Sequence, residues 1–189
     1  MAFTSHPLWL AGFRPFFALA CLAGMIYPAA WMLVYGGTLA LPDTRFTPVQ
    51  WHAHEMFFGF GWAVLGGFLL TATKNWVSVR GWHGAALMWL AGAWVFERIG
   101  MSAGDGWPLP LFLLSNLLFL GSIVVMLIWT LVRYRARDSY RDNAFFLLVL
   151  PAFLVAKYLM LHEQHFATGH TMAIGLFRMA FLVMLERTL

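Results

Sequence analysis

Apolar residues dominate this chain in long runs, and the polar residues gather in short connections between them. A helix needs about 20 apolar residues to cross a hydrocarbon core roughly 30 Å thick. Six segments approach that length: Phe16 to Tyr35, Trp51 to Thr73, Trp82 to Met101, Pro108 to Val132, Ala144 to His162 and Thr168 to Leu185. The pattern predicts an all-α, polytopic membrane helix bundle with about six transmembrane helices, forming a single domain over residues 1–189. The third segment is the least apolar. Only Gly84 to Phe96 is free of histidine and charge, ~20 Å of helix at ~1.5 Å per residue, so a spanning helix must carry Glu97 and Arg98 inside it or at its very end.

Composition strengthens this picture: the chain is 61% hydrophobic and 11% charged, far from the balance of a soluble domain. Cys21 is the single cysteine, which excludes an intramolecular disulfide. Arg14 stands too close to Cys21 to leave the apolar core of a signal peptide, so the start reads as a retained first helix.

The net charge of +4 is a topology signal rather than a nucleic-acid footprint. With the N-terminus in the cytoplasm, Arg14, Lys74, Arg80, Arg133, Arg135, Arg137, Arg141 and Arg187 fall inside, while Arg45 and Arg98 fall outside. Lys and Arg collect on the cytoplasmic side, so both termini are expected there. Lys157 and Arg178 then lie within spans.

This topology brings distant polar residues to one level. His52, His54, His162, His165 and His170 all fall at the outer face, with Glu55, Glu97, Arg98 and Glu163 at similar depth. His6 and His83 fall on the other side. Ionisable groups at membrane depth pair, face the bundle interior or bind something, so this set is the candidate functional site. On a regular helix His52 and His54 point about 200° apart and do not ligate one ion together. His52 and Glu55 can share a face, as can His162 and His165 if the fifth helix runs on past His162. Neutral imidazole suits iron, copper and zinc, with a carboxylate to orient the ring or relay a proton. Two cofactor chemistries fit: haem on one or two axial histidines, or copper on about three imidazoles. No Cys-x-x-Cys-His is present, so haem would be non-covalent.

Each feature also has a plainer structural explanation. The run from Trp51 to Glu55 could be an interfacial cap, with Trp51 as an aromatic anchor in the headgroup region. Lys157 lies ~7.5 Å deeper than His162, and Arg178 ~12 Å deeper than His170, by helical rise. Such cations need an anion: Glu97, Glu163, a haem propionate or an anionic substrate, with a Lys157 to Glu97 salt bridge as the purely structural answer. Gly59, Gly61, Gly66 and Gly67 allow something flat or another backbone to approach the second helix, and close helix packing is the commoner reason.

The stretch Gly12-Phe13-Arg14-Pro15-Phe16-Phe17, followed some 35 residues later by Trp51-His52-Ala53-His54-Glu55-Met56 and Gly59-Phe60, resembles the NnrS family of bacterial membrane proteins. Gly67-Phe68-Leu69-Leu70-Thr71-Ala72 leading to Asn75-Trp76, and the ending Glu186-Arg187-Thr188-Leu189, are similar to that family too. The resemblance implies a multi-pass inner-membrane protein containing haem and copper and linked to nitric oxide stress and denitrification. It also implies that this chain corresponds to the N-terminal half of typical members.

Taken together, the expected metal ligands are His52 or His54 with His162 or His165. Glu55 and Glu163 would orient or relay, and Arg178, Lys157 and Arg14 would hold anionic groups of the cofactor. No catalytic residue is assigned. The expected partners are membrane lipid and a second copy or second half of a longer NnrS-like protein, with no nucleic acid. Two other functions suit the same residues: half of a transporter or channel with a His- and Lys-lined path, and an electron-transfer subunit oxidising quinol.

Overall fold

The computed structural model describes residues 3–39, 45–140 and 143–186. Its main elements are α1 (Phe13–Tyr35), α2 (Pro48–Trp76), α3 (Ala85–Ala103), α4 (Leu109–Arg133), α5 (Ala144–Met160) and α6 (Phe166–Glu186). No strand occurs among the described residues. The all-helical expectation holds, and the six long helices match the six apolar segments to within a few residues. Four helical stretches have the length and apolarity to cross a membrane: Phe13–Tyr35, Pro48–Trp76, Leu109–Arg133 and Glu163–Glu186. Helix α5 is apolar but shorter, and α3 carries the Glu97-Arg98 pair foreseen for it. Arg141 and Arg187 lie outside the described residues.

Helix α2 begins three residues before its apolar run. Thr47 caps it: its hydroxyl accepts from the Gln50 amide at 3.3 Å, and the Gln50 side chain accepts from the Thr47 amide at 3.0 Å. Pro48 then takes the first turn, where its missing N–H costs nothing. Within α2, residues Glu55–Gly61 form a π-helical stretch. Such wide turns are rare and concentrate at functional sites.

The helices meet differently at their two ends. At one end, small residues seal α1 onto α2. A Cβ on Gly12 would lie 2.6 Å from that of Leu70, and one on Gly67 would lie 2.8 Å from that of Phe16. The Phe13 amide, an otherwise orphaned donor of the first turn of α1, donates to Thr71 Oγ1 at 2.9 Å. At the other end, the bundle closes around charge. Between the two runs an aromatic core in which Phe16, Trp62, Phe119 and Phe153 are fully buried.

Candidate functional site

Five ionisable side chains converge inside the end of the bundle where α1, α3 and α5 finish and α2 and α4 begin. His54 and Glu55 come from α2, Glu97 and Arg98 from α3, and Lys157 from α5. All are enclosed: Glu97 is 0% exposed, His54 and Glu55 1%, Lys157 3% and Arg98 8%. The charge-derived topology expected His54, Glu55, Glu97 and Arg98 at one depth, and the helices do bring them together.

Glu97 is the hub. Its Oε1 accepts from Lys157 Nζ at 2.5 Å and lies against Arg98 Nη2 and 3.6 Å from His54 Nε2. Arg98 Nη1 donates to Glu55 Oε2 at 2.7 Å, so the guanidinium spans both carboxylates. Lys157 also donates to the Asn116 carbonyl at 2.6 Å. The structural answer to Lys157, its salt bridge with Glu97, is therefore the one the fold adopts. Two carboxylates face two cations, so the cluster is formally neutral when His54 is neutral.

His54 stands between the acids. Its Nδ1 is 3.5 Å from Glu55 Oε1 and its Nε2 is 3.6 Å from Glu97 Oε1, both too long for a hydrogen bond. Neither ring nitrogen has a hydrogen-bond partner among the described residues, and the same is true of Glu55 Oε1, Glu97 Oε2, Arg98 Nε and Asn116 Oδ1. Buried polar atoms are normally paired with protein or water, and these six unpaired atoms all belong to one cluster. Aromatic rings wall it in: Lys157 lies 5.4 Å from the Phe58 ring centroid and Arg98 5.5 Å from that of Trp94.

The π-helical stretch explains how a guanidinium fits here. A Cβ on Gly59 would collide with Arg98 Nη1 and lie 2.9 Å from Glu55 Oε2. The flat group that the α2 glycines admit is thus the Arg98 side chain at Gly59. Elsewhere the explanation is packing, with the Phe177 ring against Gly61 and Ile123 against Gly66. Trp94 Nε1 donates to the Gly59 carbonyl at 3.0 Å and secures the widened turn.

The remaining candidates lie elsewhere. His52 faces away from His54, as helix geometry required. It is half-buried and stacked on Trp31, with ring centroids 4.3 Å apart. Trp51 is not an interfacial anchor but a core residue, 5% exposed and edge-on to Tyr27. His162, Glu163 and His165 are exposed. The condition for His162 and His165 to share a helical face is not met: α5 ends at Met160, His162 is extended, and a 3-10 turn over Glu163–His165 leads into α6. His162 Nδ1 instead meets the Tyr158 carbonyl at 2.8 Å. His170 is half-buried beside Phe57 and Phe166. Arg178 is exposed, so its long apolar stem and charge face outward from the bundle. Arg14 sits at the opposite end, ~20 Å along α1 from Tyr27 by helical rise, and donates to the Pro7 carbonyl at 2.7 Å.

Residues absent from the candidate set complete the cluster. Tyr27 interacts with Glu55 and Arg98 from α1, and Asn116 supplies its carbonyl from α4. The sequence signal for Glu97 and Arg98 was their position interrupting a segment that otherwise reads as a span. No comparable signal pointed to Tyr27 or Asn116.

A haem or a multi-imidazole copper centre does not fit the cluster. It offers one imidazole, its carboxylates are already paired with cations, and Arg98 fills the space beside Gly59. Among the described residues no group of three or more His, Cys, Asp or Glu is arranged to hold a metal ion.

The family model described as NnrS protein matches residues 7–189, nearly the whole chain, and the chain belongs to the NnrS family. No curated protein and no solved structure matches it.

Proposed function

We propose that this chain serves nitric oxide tolerance as a multi-pass protein of the bacterial inner membrane, and that the His54 cluster is the proton-handling part of that function. Family membership supports the nitric oxide reading. One observation carries the role of the cluster: an imidazole with both nitrogens unpaired stands between two carboxylates already balanced by Arg98 and Lys157. A proton added to His54 makes both ring nitrogens donors. The contacts to Glu55 and Glu97, 3.5 and 3.6 Å long, would then have to close by about 0.6–0.9 Å to become charge-assisted hydrogen bonds of about 2.7–2.9 Å. Arg98 and Lys157 balance the two acids, so the cluster is neutral with His54 neutral and carries one positive charge while His54 holds a proton, which makes the protonated state a transient one.

Haem and copper, which the family resemblance implies, are proposed to be held outside this cluster, with His52 as the candidate ligand from this chain; His52, His162 and His165 do not form a three-ligand group. Bound there, they would supply the affinity for nitric oxide. The test is metal and pyridine haemochrome analysis of protein made with haem and copper available, for wild type, His52→Ala and His54→Ala. Survival of cells challenged with nitric oxide is scored for the same set. The reading expects His52→Ala to lower cofactor content and His54→Ala to lower protection at unchanged content. Wild-type protein with neither haem nor copper would sink the cofactor part. Full protection by His54→Ala would sink the role of the cluster.

A further inference from the structure

At the end of the bundle opposite the cluster, the connection from α2 to α3 folds over a cavity of about 410 Å³. A second cavity of about 290 Å³ shares its wall, including Lys74, Arg80 and His83. No carboxylate lines either one, and among the described residues neither Lys74 nor Arg80 has an acid within ion-pair distance.

The connection is shaped to present these cations. Ser78 and Gly84 take positive φ values of 51° and 59°, turning the chain at both ends of the segment. A Cβ on Gly81 would lie 3.0 Å from Lys74 Cδ, so the glycine lets the lysine stem lie flat along the loop. The His83 ring is fixed by its 2.8 Å contact between Nδ1 and the Gly81 carbonyl. The rest of the lining is different in character: Trp82 and Trp129 lie with centroids 5.8 Å apart, and Trp82 Nε1 donates to Thr130 Oγ1 at 3.1 Å. Leu70 and Ala86 also line the cavity. Cations and a histidine in one cavity with indole rings and aliphatic groups fit an amphiphile that is charged at its head and apolar below it. Basic pockets between transmembrane helices bind anionic headgroups in this way.

We propose that this groove binds the phosphate headgroup of an anionic phospholipid, with Lys74 and Arg80 as its cationic contacts. The test uses the full chain, exchanged from detergent into vesicles of mixed phosphatidylcholine and phosphatidylglycerol and released for native mass spectrometry. The wild type retains phosphatidylglycerol in preference to phosphatidylcholine. Each cation removed lowers that preference about fivefold, and the Lys74→Gln, Arg80→Gln double variant lowers it roughly 25-fold. Arg80→Gln alone, at an exposed position, keeps the test valid if the double variant does not fold. The Arg135→Gln, Arg137→Gln variant, at the same end but outside this groove, retains lipid like the wild type. An equal loss in that variant, no preference in the wild type, or displacement of the lipid by millimolar inorganic phosphate would each overturn the proposal.

Discussion

The two ends of this bundle use the same two helices for opposite purposes. Where α1 starts and α2 finishes, Gly12 and Gly67 remove side chains so that the helices touch, and a short polar chain joins them, from the Phe13 amide to Thr71 and from Thr71 to the Gly67 carbonyl at 2.9 Å. Where α1 finishes and α2 starts, Gly59 removes a side chain so that a charge can enter. The first end is a seam built by packing, as is usual between helices in a membrane. The second is a neutral knot of four charges and an imidazole, whose stability depends on every member being present. The segments that carry the family resemblance divide along the same line: Gly12 to Phe17 and Gly67 to Ala72 make the seam, and Trp51 to Gly59 makes the knot.

The comparison predicts very different sensitivities. The largest effect is expected at Glu97, where Glu97→Ala leaves Lys157 and Arg98 without their shared anion and destabilises the fold by about 3–5 kcal/mol. Thermal unfolding in detergent measures it, and an unchanged midpoint would mean that the cluster is not closed as described. Replacing both partners, Glu97→Met with Lys157→Met, should cost much less than either single change, since apolar groups of similar volume can replace a buried pair. The same double variant should still lose nitric oxide protection, which separates the structural role of the pair from its functional one.

Next come the two glycine contacts. Gly59→Ala drives a methyl into Arg98 Nη1, and Gly12→Ala drives one into Leu70; each should cost about 1–3 kcal/mol by overpacking. They part company in function. Per unit of folded protein, Gly12→Ala should protect cells like the wild type, whereas Gly59→Ala should not. Equal protection by both would erase the distinction between seam and knot. The smallest effect is expected for Thr71→Val, which leaves the Phe13 amide without its acceptor and lowers stability by about 1 kcal/mol with protection intact.

Much of this was legible along the chain, and the unread parts have identifiable causes. The helices were visible because apolar runs of membrane length leave few alternatives to a helix that satisfies its own backbone. The shared depth of His54, Glu55, Glu97 and Arg98 was visible because Lys and Arg alone set the alternation of the helices. The opposite facing of His52 and His54 followed from 3.6 residues per turn. The grouping of His162 and His165 with them was not borne out by position: those residues sit in a turn beyond α5, and a shared depth does not fix which way a side chain points. The start of α2 at Pro48 was written in Thr47 and Gln50, a capping pair outside the apolar run.

The sequence by itself determined the elements, the end of the bundle at which His54, Glu55, Glu97 and Arg98 fall and the need for every buried charge to find a partner, because these depend on composition and helical periodicity. Only the tertiary structure decided the partners. Rotation of one helix about its axis changes which of several residues at one depth face inward, and packing fixes that rotation. In this bundle it turned His54 rather than His52 toward Glu97, set Arg98 against Gly59 through a π-helical turn, and left Arg178 on the outside.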